Sequence, residues 1–263
     1  MNAPRPDLPW YRPVGRECEV FEHCYDNRLP LMLKGPTGTG KSRFVEHMAA
    51  RLNRPLVTVA AHDDTSAVDL LGRWLVRAGD TVWQDGPVTR AVRTGAVLYI
   101  DEIAEARSDV IVVLHPLSDH RRRLFVERHD EELEAADGFQ LVVSFNPGYR
   151  SALRELKPST RQRFVGLSFD YPAPDVEQEI VIGETGCEPS VAKRLVAVAA
   201  KIRAVDHLGL PEQPSTRLLV DTARLIASGL PARLSCQVGI VEPLTDDADV
   251  GQALLDLAFL VFD

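Results

Sequence analysis

The sequence is poor in the features that mark secreted, metal-binding and membrane proteins. Its four cysteines form no Cys-x-x-Cys pair, so it indicates neither a disulfide framework nor a zinc knuckle. No apolar run approaches the roughly 20 residues that a membrane-spanning helix needs. The N-terminus also lacks the apolar stretch of a signal peptide. We therefore expect a cytoplasmic protein with reduced thiols and no membrane partner.

Excess positive charge is also lacking. Thirty Lys and Arg against 38 Asp and Glu give a formal net charge of -8, which predicts no general attraction to nucleic acid or anionic lipid. The histidines lack metal-ligand spacing, so no histidine-bound metal is expected. Apolar residues make up 45% of the 263 residues, enough for a sizeable core. This composition excludes a disordered tail and a fibre.

Short apolar runs alternate with helical patterns over the first two thirds of the chain. The runs LPLMLKG, PLVTVAA, AVLYIDE, FQLVVSFN and FVGLSFDYPAP are apolar on both faces, which is typical of a parallel sheet covered by helices. From residue 175 onward only helical patterns remain, near 175–184, 189–205, 215–228 and 248–262. The fold class is therefore predicted as α/β, with a parallel-sheet core over residues 1–174 and a smaller all-α domain over 175–263.

An eight-residue glycine-rich loop follows the first apolar run and precedes a helix predicted over 41–52. It consists of Gly35, Pro36, Thr37, Gly38, Thr39, Gly40, Lys41 and Ser42. Strand, glycine loop and helix in this order are the context of a Walker A motif. Its backbone N–H groups and the helix N-terminus favour a polyphosphate. We expect Lys41 to bridge the β- and γ-phosphates of ATP, and Ser42 to hold Mg²⁺.

Polar residues end two further apolar runs. Asp101 and Glu102 follow AVLYI, which fits a Walker B element in which Asp101 joins the Mg²⁺ shell and Glu102 polarises the attacking water. Two adjacent acids are also common on any surface, so the upstream glycine loop favours the catalytic interpretation. Asn146 follows LVVSF and is predicted to orient water near the γ-phosphate. The alternative is a turn cap, because Asn-Pro-Gly is a turn signature.

Together these motifs resemble those of the MoxR-type AAA+ ATPases. GPTGTGKS, VLYIDE, SFNPG, DLLGRW and LHPLSDHRRRL are similar to the CbbQ/NorQ/NirQ/GvpN branch, most closely to CbbQ chains, from about Val14 to the C-terminal TDD segment. The resemblance implies a P-loop AAA+ core with an α-helical lid, assembled as a homohexamer with nucleotide between neighbouring subunits. It also implies that Arg163, or its neighbour Arg161, reaches the nucleotide of the next subunit, and that Arg217 contacts phosphates from the lid. Surface ion pairs are the alternative for Arg161 and Arg163.

Two insertions also resemble this branch. The segment 72–86 reads as a β-hairpin around Ala78-Gly79-Asp80, and 121–136 as a second hairpin around His129 and Asp130. In related rings such hairpins face the pore or the partner. Equally, Trp74 and Trp83 can simply pack against the core, and the run of arginines from 121 to 123 can be a solvated loop.

The resemblance also suggests a target. CbbQ proteins act with a partner that carries a von Willebrand factor A domain, a CbbO-like adaptor, to reactivate inhibited Rubisco, which also implies association with carboxysomes. NorQ and NirQ proteins support maturation of nitric oxide reductase, and GvpN proteins support gas vesicle formation. The stretches PSTRQRFVGLSFDYP and LSCQVGIVEPLTDD favour Rubisco activation over the NorQ/NirQ alternative.

Three other classes of function are weighed against this one. A DNA-remodelling AAA+ protein is disfavoured by the charge of -8 and by the lack of a helix-turn-helix or zinc module. A small-molecule kinase uses the same loop, but it requires neither an arginine from a neighbour nor a helical lid of this size. A nucleotide-gated binding module without turnover would tolerate the loss of Glu102.

Overall fold

The computed structural model describes residues 8–147, 156–205 and 209–262. Its backbone contacts group into two compact units. Gly15–Gly35 and Lys41–Ser168 form most of the first unit, whereas Trp10–Val14, Pro36–Gly40 and the residues from Phe169 onward form the second. Each unit has its own apolar core.

The first unit contains a five-stranded parallel sheet, which confirms the predicted α/β class. Its strands are β1 (Leu31–Lys34), β2 (Leu56–Ala60), β5 (Val97–Asp101), β8 (Gln140–Phe145) and β9 (Val165–Ser168), in the order β2-β5-β8-β1-β9. The residues of β8 and all but the last residue of β5 are buried. These two strands are mostly apolar because helices cover both faces of the sheet.

Among the described residues, the first unit contains six α-helices. They are α1 (Glu17–Asp26), α2 (Lys41–Arg51), α3 (Ala67–Leu71), α4 (Pro87–Thr94), α5 (Ser108–Leu114) and α6 (Pro158–Arg161). A capping box between Ser66 and Asp69 starts α3. Helix α5 ends after seven residues, at Leu114, and the 3₁₀ turn His115–Leu117 follows it. Pro116 explains the early end, because its nitrogen has no proton to donate to the α-helical ladder.

In the part of the chain that the structure describes, two antiparallel hairpins lie outside the central sheet. In the first, β3 (Gly72–Arg77) pairs with β4 (Asp80–Asp85) through a two-residue turn, where Ala78 and Gly79 both have positive φ. This conformation matches the right-handed twist of the two strands. In the second, β6 (Arg123–Val126) pairs with β7 (Glu131–Glu134).

Aromatic rings join the two hairpins. Trp74 and Trp83 face each other across β3 and β4, and the His129 ring stacks on Trp83 with centroids 4.8 Å apart and planes within 4°. Trp83 packs on the core, whereas the side chain of Trp74 is 48% exposed. Trp83 therefore packs against the core, as one of the two interpretations of the sequence expects, whereas Trp74 is a surface residue.

The second unit is helical. It contains α7 (Pro174–Thr185), α8 (Pro189–Arg203), α9 (Thr216–Ala227), α10 (Ala232–Cys236) and α11 (Ala248–Phe259). A π-helical turn, Gln237–Val241, continues α10. Neither α10 nor this turn was predicted, because each is too short to display a helical period of apolar residues. Within the described residues, no helix combines the length and apolarity that a bilayer crossing requires.

Candidate functional site

Three of the sequence-predicted residues lie at one edge of the sheet. Gly35 follows β1, Asp101 ends β5 and Asn146 follows β8, and these strands are parallel neighbours. The Gly35 N–H donates to the carbonyl of Phe145 over 3.2 Å, so Asn146 comes directly after a residue that touches the loop. The carboxyl ends of parallel strands are the usual position of ligand sites in α/β folds.

The glycine loop is shaped by its own backbone. Gly38 and Gly40 have φ of +72° and +89°, which side chains with a Cβ rarely adopt. Lys41 begins α2, and its Nζ donates to the Gly35 carbonyl over 2.8 Å, so the ammonium group lies against the loop. The first N–H groups of α2 have no intrahelical acceptor and add a positive dipole end. This geometry can bind a polyphosphate.

Residues 36–40 of the loop pack within the second unit. The Thr37 hydroxyl donates to Glu212 over 3.2 Å, and a Cβ added to Gly38 would overlap the side chain of Ser215. The same added Cβ would lie 3.6 Å from the Cβ of Arg217. Arg217, the residue predicted to contact phosphates from the lid, therefore lies beside the loop, at the start of α9.

Ser42 and Asp101 provide oxygen atoms of the kind that Mg²⁺ prefers. The Ser42 hydroxyl lies 3.4 Å from Asp101 Oδ2, and one hydroxyl plus one carboxylate suits an ion that keeps several waters and phosphate oxygens as its other ligands. Among the described residues, no group of three or more His, Cys, Asp or Glu side chains could hold a metal without such help. The two residues fit the predicted ion.

Two residues that the sequence reasoning missed complete this group. The Tyr99 hydroxyl donates to Asp101 Oδ1 over 2.7 Å and lies 3.3 Å from the Ser42 hydroxyl. The Ser144 hydroxyl also donates to Asp101 Oδ1. Burial raises the pKa of Tyr99 well above its usual range, so its proton stays in place at neutral pH. The sequence did contain a signal for these two residues: each places a hydroxyl in an otherwise apolar strand, and a buried hydroxyl needs a hydrogen-bond partner.

Glu102 stands in an unusual conformation. It is exposed, and its φ of 56° and ψ of 48° lie in the left-handed region. Its N–H donates to the Ser144 hydroxyl over 2.9 Å. Non-glycine residues in this region cluster at functional sites, because the surrounding structure must hold them there. The predicted catalytic glutamate thus has a strained backbone.

The two candidate arginine fingers differ in their surroundings. Arg163 Nη1 donates to Asp119 Oδ2 over 3.3 Å, and Arg121 donates to the same carboxylate over 2.7 Å. The Arg121 guanidinium holds the pKa of Asp119 well below its usual range, so the carboxylate remains charged. Arg161 is exposed at the end of α6. In the part of the chain that the structure describes, neither arginine hydrogen-bonds to Asp101.

Comparisons with known proteins match nearly the whole chain. A family model described as "AAA domain (dynein-related subfamily)" matches residues 30–164, and one described as "CbbQ/NirQ/NorQ C-terminal" matches residues 177–261. The chain is 56% identical to protein NorQ of Paracoccus denitrificans, over 97% of this chain and 95% of that protein. It is 52% identical to the denitrification regulatory protein NirQ of Pseudomonas aeruginosa (97% and 98%) and 52% identical to protein CbbQ of Hydrogenophilus thermoluteolus (97% and 95%).

Solved structures add a fold likeness. A RuvB variant from Thermotoga maritima superposes with a TM-score of 0.56 at 14% identity, over 93% of this chain and 70% of that one. At such low identity the likeness concerns the fold alone.

Proposed function

The chain belongs to the CbbQ/NirQ/NorQ family of AAA ATPases, and on that premise we propose that it is a hexameric motor that remodels a protein target with Mg·ATP. The observation that carries the proposal is the group formed by Ser42, Asp101 and Glu102 beside the Gly35 loop. A von Willebrand factor A domain protein is the proposed partner. The charge of -8 favours a protein target over nucleic acid.

In this proposal each residue of the group has one task. The loop backbone and Lys41 bind the β- and γ-phosphates, Ser42 and Asp101 hold Mg²⁺, and the Glu102 carboxylate takes a proton from the attacking water. Asn146 orients that water. The bound ion neutralises charge that develops on the phosphates. Positioning and charge stabilisation therefore supply most of the rate enhancement, as in other phosphoryl transfers.

The remaining positive charge is proposed to come from arginines. Arg163 serves as the finger that enters the site of a neighbouring subunit, with Arg161 as the alternative. Arg217 contacts the phosphates in its own subunit, supported by its position beside Gly38. Loss of an arginine finger costs about 10³-fold or more in turnover, so an isolated subunit should be almost inactive.

The two parts of the chain are proposed to have different roles. Residues 1–174 form the nucleotide-binding core and residues 175–263 the lid. The hairpins near 72–86 and 121–136 face the target or the partner, which is supported by the exposed apolar side chains of Val76 and Phe125. Aromatic side chains such as that of Phe125 are enriched on surfaces that meet other proteins.

Rubisco was favoured by two stretches of the sequence, but the relatives include NorQ and NirQ proteins that are as similar as CbbQ, so we propose nitric oxide reductase as the first target to test and Rubisco as the second. Identity to NorQ is 56% against 52% to CbbQ, and NirQ, a denitrification regulatory protein by name, reaches 52% as well. The test incubates the chain, its von Willebrand factor A partner and ATP with either immature nitric oxide reductase or ribulose bisphosphate-inhibited Rubisco. Recovery of nitric oxide reduction supports the first target. Recovery of carboxylation alone supports the second, and recovery of neither removes both.

The ATPase site is tested separately by turnover. Lys41→Ala should abolish ATP binding, and Glu102→Gln should retain binding but lose turnover by 10²-fold or more, on the order of other losses of a general base. Turnover that survives both substitutions would contradict the proposed site.

A further inference from the structure

We propose that the buried hydroxyls of Tyr99 and Ser144 are positioning residues for ATP hydrolysis, because they fix the metal-binding pair Ser42 and Asp101 and the backbone of Glu102. The inference rests on the proposed function. Both side chains are only 1% exposed, and both donate to the same oxygen, Asp101 Oδ1. Asp101 Oδ2 points instead at Ser42. The two carboxylate oxygens thus have separate surroundings.

Counting protons shows how Tyr99 acts. A phenol has one proton, and the proton of Tyr99 is used on Asp101 Oδ1. At 3.3 Å from Ser42, the Tyr99 oxygen can then only accept from the Ser42 hydroxyl. When the Ser42 proton points to Tyr99, a lone pair of Ser42 and Asp101 Oδ2 are both available to a cation. Tyr99 therefore joins the two metal-binding residues and orients both.

Ser144 joins Asp101 to Glu102 in a similar way. Its hydroxyl donates to Asp101 Oδ1 and accepts from the Glu102 N–H over 2.9 Å. That N–H belongs to a residue held in the left-handed region. The hydrogen bond helps to keep the strained backbone in place, and with it the direction of the Glu102 side chain. Ser144 is therefore positioned to act on the water-activating residue and not only on the metal.

Packing alone does not explain these hydroxyls. Ser144 interrupts the run Leu141, Val142, Val143 and Phe145 of β8, where a branched aliphatic residue would bury more apolar surface. A buried hydroxyl is tolerated only when it is hydrogen-bonded. Here both hydroxyls bind residues that are predicted to be catalytic, which indicates that their role is to orient the site.

Tyr99→Phe tests the link to the metal. We expect the tightening of ADP binding by Mg²⁺, measured as the ratio of Kd in EDTA to Kd in Mg²⁺, to fall about tenfold, as for the loss of a hydrogen bond to a charged group. The Kd in EDTA should be unchanged. Tyr25→Phe is the matched control, because it removes a hydroxyl on α1 that accepts a 2.6 Å hydrogen bond from Arg54, a residue that follows α2. A normal ratio in Tyr99→Phe would overturn this part of the proposal.

Ser144→Ala tests the link to Glu102. We expect kcat to fall about tenfold or more with little change in KM, because the group that activates water is misplaced while the phosphate loop is intact. Ser144→Thr retains a hydroxyl and should restore most of the turnover. Ser235→Ala removes another fully buried serine hydroxyl, in α10, and controls for the loss of stability. Equal kcat in Ser144→Ala and the wild type would refute the role.

Failure of this inference can be distinguished from failure of the proposed function. If Glu102→Gln is inactive while Tyr99→Phe and Ser144→Ala behave as the wild type, only the positioning role is wrong. If Glu102→Gln also retains turnover, the site itself is wrong. If Ser144→Ala does not fold, the other two variants still test the proposal. Tyr99→Phe tests it through the ratio of the two Kd values, and Ser144→Thr tests it through turnover, which must be retained.

Discussion

At the scale of single residues, Glu102 combines a catalytic position with an unfavourable backbone. Its left-handed conformation costs about 1 kcal/mol or more for any residue with a Cβ. We therefore expect Glu102→Gly to be more stable than Glu102→Ala by about 1 kcal/mol, although both lose turnover. Urea unfolding of the two variants, with the ATPase rate as a second measurement, gives the comparison.

Glu105 provides the matched control for this prediction. It lies three residues further on, in a 3₁₀ turn, and it is not one of the residues with positive φ. At this position the order should reverse, with Gly less stable than Ala, because glycine loses more backbone entropy on folding. If Gly and Ala at 102 were equally stable, the backbone of Glu102 would not be strained.

Sequence reasoning reached only part of this site. The order of strand, glycine loop and helix led to Lys41 and Ser42, and two acids after a buried strand led to Asp101 and Glu102, because motif and context are both local in the chain. Tyr99 and Ser144 could not be placed in this way. Ser144 reaches Asp101 and Glu102 because β8 pairs with β5, which joins residues more than forty positions apart. Tyr99 is close to Asp101 in the chain, but its contact with Ser42 joins residues 57 positions apart.

At the scale of elements, the aromatic contact between the two hairpins has a measurable energy. His129 stacks on Trp83, and Arg93 holds Asp85 of β4 and Glu131 of β7 with hydrogen bonds of 2.9 and 2.6–2.8 Å. We expect His129→Ala and Trp83→Leu to show a coupling free energy of about 0.5–1.5 kcal/mol in a double-mutant cycle, measured by urea unfolding.

The control cycle pairs His129→Ala with Thr81→Ala, since Thr81 is an exposed residue of β4 opposite Val76. This cycle should give a coupling near zero. An equally small coupling between His129 and Trp83 would mean that the hairpins do not stabilise each other through the rings.

The start of α9 depends on a buried ion pair. Glu177, 1% exposed, accepts two hydrogen bonds of 2.8 Å from Arg203 and one of 2.7 Å from the Thr216 hydroxyl. Removing one partner of such a pair is strongly destabilising, so Glu177→Gln should lower the free energy of unfolding by about 3 kcal/mol. Since Thr216 precedes Arg217, nucleotide affinity should fall as well, which fluorescence titration with an ATP analogue would detect.

Glu179 lies on the same helix, α7, and forms an exposed ion pair with Arg12. Glu179→Gln is therefore the matched control and should leave both the unfolding midpoint and the nucleotide affinity unchanged, because surface pairs contribute little. A similar loss in both variants would show that the burial of Glu177 has no special effect.

For the whole molecule, the sequence of a single chain predicts the fold but not the enzyme that it acts on. Alternating strands and helices predicted the α/β fold, since burial on both faces leaves a clear pattern. The target leaves no such pattern. The exposed side chains of Trp74, Val76 and Phe125 mark a surface that can meet another protein, but their chemistry does not identify which enzyme is remodelled.

The proposed sharing of sites between subunits can be tested by mixing inactive variants. Lys41→Ala subunits keep Arg163, and Arg163→Ala subunits keep the phosphate loop. If subunits in the ring mix at random in equal amounts, one half of the loops are intact and one half of those have a neighbour with the arginine. The mixture should therefore regain about a quarter of wild-type turnover per subunit.

The same mixing experiment decides between the two arginines. Lys41→Ala mixed with Glu102→Gln should remain inactive, because intact loops are then never combined with an intact glutamate in one subunit, whichever subunit donates the arginine.

If Arg161 is the finger, the mixture of Lys41→Ala with Arg161→Ala regains turnover. Arg163→Ala then retains turnover without any mixing. Because Arg163 is bound to Asp119 within its own subunit, Asp119→Asn should also change the turnover only if Arg163 is the finger. Recovery with neither arginine would exclude a site shared between subunits.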